Sequence, residues 1–177
     1  AAAARSRAQR GPLIRTLAAV FLFQAANMGL NAFLIPLGRH YGLADAFISG
    51  TIGPAAAKSF RDRLDEARLA PGDMILLSSP GGNLSQATIM GEIIRSRGLV
   101  TAVGIPDASG RVKPAYCASA CVLVYAGGKT RFGVLGSALG VHRFVTTRPM
   151  DDPVAEAQRI AGAVLGYMTK MGVSSSI

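Results

Sequence analysis

From Phe47 onward the apolar positions alternate between two spacings, a short continuous run and a helical stripe. "AFISGTIG" (46–53) reads as a strand that closes on Gly53, and Pro54 suits the first turn of a helix. "AAAKSFRDRLDEARL" (55–69) then sets Phe60 and Leu64 on one helical face. After a turn at Gly72-Asp73, "MILLSS" (74–79) is almost wholly apolar, the pattern of a strand buried on both faces. Pro80-Gly81-Gly82 breaks it, and "LSQATIMGEIIRSRG" (84–98) reads as a helix that stops at Gly98. "LVTAVGI" (99–105) is the next strand, and 106–114 a polar loop. The apolar run 122–128 looks helical, and 129–144 reads as short strands broken by glycines. The segment 151–172 predicts an amphipathic helix with Val154, Ala157, Ala161, Val164, Met168 and Met171 on one side. Pro153 lies in its first turn, and Asp151 or Asp152 caps it. Strands alternating with helices predict a largely parallel α/β fold.

The chain before Phe47 follows neither spacing. Residues 16–37 carry no charge and, as a helix, are long enough to cross a hydrocarbon layer of roughly 30 Å. Gln24, Asn27 and Asn31 interrupt the run, and Pro36 would end or kink a helix. Arg5, Arg7, Arg10 and Arg15 precede it, an asymmetry that fits a cytoplasmic N-terminus with the remainder exported. Ala44-Asp45-Ala46 has the small-x-small form of a signal-peptidase site, though far from the apolar centre. The other reading is an amphipathic or buried helix of a soluble domain. Two segments are therefore expected: 1–45, a basic stretch with a hydrophobic signal or anchor helix, and 46–177, the α/β domain.

Half of the 177 residues are apolar and 16% are charged, which fits one domain with a real core and sets aside disorder. The formal charge is +9, but the clustered arginines ahead of an apolar run fit membrane orientation better than phosphate binding. With no tryptophan and no repeated basic-aromatic pattern, no nucleic-acid partner is expected. Two cysteines are too few for a disulfide framework, and with one distant histidine they do not make a zinc site. No metal and no cofactor are expected.

Three stretches could carry chemistry. Ser79-Pro80-Gly81-Gly82-Asn83 links a buried strand to a helix, and its amides suit an anion or oxyanion, though it also fits an ordinary strand-to-helix turn. Ser119 in "CASAC" (117–121) stands near a helix start between small alanines, as a cap or as a nucleophile. His142 in "LGVHRF" follows a glycine-broken strand, as a surface histidine or as a proton acceptor for a serine.

Taken in order, "LLSSPGGN", "CASAC" and "LGVHRF" resemble the Clp-type serine protease fold of the wider Clp protease/crotonase superfamily. They are most similar to exported bacterial Clp-protease-like proteins with a serine in Cys-Ala-Ser-Ala-Cys. The resemblance covers about residues 47–172. It implies a repeated β-β-α superhelix with a mostly parallel sheet, preceded here by the hydrophobic helix. It also implies Ser119 as nucleophile, His142 as general base, the Gly82 and Ala120 amides as oxyanion hole, and Gly81 and Asn83 as substrate contacts. The expectation is a membrane-anchored or periplasmic serine peptidase of the cell envelope, a homo-oligomer acting on peptides or proteins. A non-catalytic binding or assembly module on the same fold is the alternative; a crotonase-like acyl-CoA enzyme would not need the serine-histidine pair.

The pattern departs from that family at two points, one of them a loop at 106–114 longer than its counterpart in Clp proteases. The aspartate that orients the histidine there lies some fifty residues further on, whereas 35 residues follow His142 here, so the domain is expected to be truncated at its C-terminus. Asp151 and Asp152 lie too close to His142 in sequence to match it. A lysine base, as in signal-peptide peptidases, finds no convincing match in Lys113 or Lys129. For the cysteines, two small buried hydrophobes beside the serine are the favoured reading, with a bond possible if Cys117 lies before the helix.

Overall fold

The computed structural model describes residues 33–36, 46–107, 111–142 and 152–174. Its main sheet has five strands: β1 (Phe33–Pro36), β2 (Ala46–Ser49), β3 (Met74–Ser78), β4 (Val100–Val103) and β8 (Arg131–Gly133), adjacent in that order. Strands β2, β3, β4 and β8 run parallel, and β1 pairs antiparallel with β2. The mostly parallel α/β expectation is therefore met.

Each parallel strand continues into a second, smaller layer. After β2 the chain bends at Gly50, and Ile52 bridges to Gly82. After β3, Ser79 bridges to Cys117. After β4 come a short antiparallel pair, β5 (Ile105–Pro106) with β6 (Val112–Lys113), and then β7 (Tyr116–Ala118). After β8 comes β9 (Ala138–Gly140), parallel to β7. The loop expected at 106–114 thus holds a small hairpin at its ends.

Strand β3 is buried on both faces, as its apolar run predicts. Ile75 and Leu77 point to the helical side, against α1 (Ala56–Ala67), α2 (Leu84–Ser96) and α3 (Cys121–Ala126). Leu76 points the other way, beside Phe47 and Ala102. In α1, Phe60 and Leu64 face this core as their spacing predicts. Helix α2 lies between α1 and α3 and ends at Arg97, just ahead of Gly98 (φ 66°).

Two expectations need correction. The uncharged run 16–37 is not one helix to its end, because Phe33–Pro36 is a strand. Those residues satisfy their backbone groups by pairing with the open edge of β2. The rest of the predicted anchor helix, residues 16–32, lies outside the described residues. Among the described residues no helix is long and apolar enough to cross a membrane.

The second correction concerns α4 (Pro153–Lys170), which Asp152 caps by accepting from the Val154 and Ala155 amides. Its predicted apolar face is buried only at the C-terminal end. Val154 is 67% exposed, and Ala157 and Ala161 are exposed too. The buried anchors are Tyr167 and Met171. Tyr167, absent from the predicted face, donates to the Leu123 carbonyl at 2.7 Å and lies so close to Gly91 that no larger residue fits in α2 there. The helix is fixed where that hydroxyl meets α3.

Burial raises the Tyr167 phenol well above its ordinary value; the Glu92 carboxylate adds to the effect and Arg95 opposes it. The folded chain therefore holds this proton more tightly than the unfolded one. The contribution to stability is full below the ordinary phenol value. It declines as pH rises beyond that value, because the unfolded state releases the proton first. Tyr167→Phe is expected to lower stability by about 1 kcal/mol at neutral pH and to flatten this alkaline decline. Urea titrations of both chains from neutral to alkaline pH check it.

Candidate active site

The small parallel sheet brings the candidate residues together. Its register pairs Tyr116 with Ala138, Cys117 with Leu139 and Ala118 with Gly140. The next link is the Ser119 amide donating to the Gly140 carbonyl at 2.8 Å. Both strands then end side by side, so Ser119 follows one and His142 lies two residues past the other. Histidine Nε2 stands 2.8 Å from Ser119 Oγ, across 23 residues of chain.

Ser119 is one of two non-glycine residues with positive φ among the described residues, at 56°. The left-handed conformation disfavours an L side chain, so this turn is held by its surroundings. The Ser119 carbonyl accepts from Val122 and the Ala120 carbonyl from Leu123, which starts α3 at once. The serine therefore stands at a sharp strand-to-helix turn, half-buried, with a histidine on its hydroxyl.

The Ser79–Asn83 stretch passes directly against this turn. Ser79 is buried; its hydroxyl donates to the Gly50 carbonyl at 2.6 Å and accepts from the Gly81 amide at 3.0 Å. A side chain at Gly81 would lie 2.7 Å from Ser119 Cβ and 2.8 Å from the Ala120 nitrogen, so only glycine allows this approach. Gly82 follows with φ 138°, its Cα side pressed on the Ile52 backbone. Among the described residues, neither the Gly82 nor the Ala120 amide donates a hydrogen bond. These two donors thus flank the serine, Gly82 from its bridge to Ile52 and Ala120 from the start of α3, and the site can polarise a carbonyl oxygen presented to Ser119.

Asn83 caps α2: its Oδ1 accepts from the Gln86 amide at 3.0 Å. Lys113 pairs with Asp107 at 3.5 Å. Asp152 is engaged at the start of α4, and Asp151 lies outside the described residues. A surface hollow of about 410 Å³ between α2 and the end of α4, lined by Arg61, Glu92 and Lys170 among others, shares no residue with the serine-histidine pair.

The cysteines differ from the favoured expectation. They are not two free hydrophobes but a disulfide, with Cα atoms 5.3 Å apart. The physical reason is the one left open: Cys117 lies in β7, before the helix, and Cys121 is its first residue, so the Ser119 turn folds one back onto the other.

The supporting role of Ser79 was not separable in the sequence from a turn residue; its signal is a hydroxyl ending an otherwise apolar run. Ser79→Ala would leave the Gly50 carbonyl and the Gly81 amide without that partner in a buried place. The expected cost is about 1–3 kcal/mol of stability, read as a lowered urea midpoint, together with slower modification of Ser119.

No known family profile matches the chain, and no curated protein sequence does. Solved structures do. ClpP1 from Listeria monocytogenes superposes with a TM-score of 0.53 at 17% identity over 72% of each chain. The ClpP protease catalytic domain from Plasmodium falciparum gives 0.51 at 14% identity, over 72% of this chain and 66% of that one. A membrane-bound stomatin-specific protease gives 0.52 at 17% identity, over 71% of this chain and 59% of that one. At these identities the likeness is one of fold: the chain has a Clp-protease-like fold.

Proposed function

We propose that this Clp-protease-like fold carries a serine peptidase site, with Ser119 as nucleophile and His142 as its base. The observation that carries the reading is the 2.8 Å contact between His142 Nε2 and Ser119 Oγ, at a serine held in a left-handed turn. In the proposed reaction Ser119 Oγ attacks a peptide carbonyl while His142 takes its proton. The carbonyl oxygen gains negative charge and is met by the Gly82 and Ala120 amides, which donate no other hydrogen bond among the described residues. His142 then protonates the leaving amine. It next takes a proton from the water that attacks the ester and passes it to Ser119 Oγ as the acid is released. Gly81 serves by bringing the Gly82 backbone against the serine turn.

The proposal extends to location and partners. The Cys117–Cys121 disulfide supports an oxidising compartment, and so a domain exported from the cytoplasm, with the basic N-terminal segment 1–45 as its signal or anchor. The substrate is a peptide or protein. Exposed apolar side chains such as Val154 and Leu165 on α4 support self-association.

A biotinylated fluorophosphonate tests the site directly. Incubation with the folded protein should give a single adduct, which peptide mapping assigns to Ser119. Absence of an adduct on folded, oxidised protein rejects the nucleophile.

A further inference from the structure

We propose that Cys117 and Cys121 are positioning residues: their disulfide holds the Ser119 turn, and only the oxidised chain presents Ser119 Oγ to His142. The proposal rests on the reading of Ser119 as nucleophile and adds the device that keeps it in place. The bond joins the middle residue of β7 to the first residue of α3, so it brackets the serine on both sides. Within that bracket the backbone enters a conformation that an L residue avoids, φ 56° at Ser119. Among the described residues its other restraints are the backbone bonds of Ala118, Ser119 and Ala120 to Ser79, Gly140, Val122 and Leu123 and the packing of Gly81, while Ala118 and Ala120 add no polar side chain; the disulfide is the covalent link across the serine.

Loop length argues for a local role. A disulfide stabilises the whole fold mainly by restricting the unfolded chain, and a loop of sequence separation 4 restricts it less than a long loop would. Its constraint falls instead on the residues inside the loop, Ser119 and the Ala120 amide among them. Cys117 and Cys121 are 0% and 1% exposed and belong to the same core cluster as Ala120. A reductant reaches them when this region opens, so the bond acts as a lock set at folding rather than a rapid switch. A dithiol opens it in two exchanges. One thiolate attacks a cysteine sulfur to give a mixed disulfide, and the second displaces it. Two electrons and two protons pass to the protein, leaving two cysteine thiols and a cyclic disulfide reagent.

The test compares oxidised wild type, wild type reduced with dithiothreitol, and Cys117→Ala/Cys121→Ala, each shown to be folded by circular dichroism and a cooperative melt. For the reduced chain and the double variant, the rate constant for fluorophosphonate labelling should fall at least tenfold. Hydrolysis of an activated ester should lose kcat by a similar factor with KM within twofold. Reoxidation should restore the wild type, and the double variant should not respond to dithiol. Amide hydrogen exchange across 117–122 should rise at least tenfold on reduction, a readout independent of reactivity. A folded, reduced chain that labels at the oxidised rate overturns the proposal, whatever the exchange shows. If oxidised wild type does not label at all, the nucleophile reading fails. Exchange alone then decides the role of the bond, faster exchange supporting it and unchanged exchange overturning it. If the double variant does not fold, the reduced wild type carries the comparison.

Discussion

Ser119→Ala is expected to abolish fluorophosphonate labelling and to lower ester and peptide hydrolysis by roughly 10³- to 10⁶-fold, the range for loss of a nucleophile in a serine hydrolase. His142→Ala should give a loss of similar size, and the double variant little more than either alone, because the two groups act in one step. The fold should survive both changes: His142 is exposed, and Ser119 contributes a hydroxyl rather than packing. Ser119→Gly separates chemistry from structure. Glycine accepts φ 56° freely, so it should raise stability by about 1 kcal/mol while showing the same loss of rate. Labelling and a urea midpoint for each variant check both halves. Residual labelling of Ser119→Ala above background would mean that another residue is the nucleophile.

The second large effect is expected at Gly81, where two penalties coincide. The backbone has φ 95°, and an added Cβ would lie 2.6 Å from the Ala118 carbonyl, 2.7 Å from Ser119 Cβ and 2.8 Å from the Ala120 nitrogen. None of these is the free end of a flexible side chain. Relief requires the Gly81–Gly82 segment and the serine turn to part, which moves one proposed oxyanion donor from the other. Gly81→Ala should cost about 2–4 kcal/mol of stability. It should also cost about a hundredfold in kcat, as a misplacement of roughly 1 Å does elsewhere. Gly72 is the matched control. It has nearly the same φ, 93°, and nothing within 4 Å of its added Cβ. Gly72→Ala should therefore show the backbone penalty alone, about 1 kcal/mol, with activity unchanged. Equal effects at the two positions would remove the case for Gly81 as a spacer of the site.

Some of these features were legible in the amino-acid order. Strand β3 was, because a run with no polar face can only be covered on both sides, and Ile75, Leu76 and Leu77 are. The start of α4 was, because Asp152 and Pro153 act through their own backbone neighbours. Local chemistry of this kind needs no knowledge of the rest of the chain. Strand β1 was hidden for the opposite reason: inside a long uncharged, mostly apolar stretch neither period can be read, and pairing with β2 decided the outcome. The face of α4 misled because periodicity shows which side is apolar, not how far along its length a partner extends. The disulfide depended on the turn between β7 and α3, whose left-handed residue at Ser119 the residue type does not announce. The serine and histidine were legible as a pair through resemblance. Their meeting has a simpler cause, the parallel register of β7 and β9.

That register has a consequence for how the chain tolerates insertions. The chain between serine and histidine, which are 23 positions apart, includes α3, β8 and an outward turn at Leu135, which is 95% exposed. An extra residue at that turn lengthens a connection and leaves the pairing of Ala118 with Gly140 untouched. An extra residue between Gly140 and His142 displaces the imidazole by up to about 3.3 Å, the length of one extended residue, and takes Nε2 away from Ser119 Oγ. The long interval is thus free to drift, while the two-residue step from Gly140 to His142 is the ruler by which the site is measured.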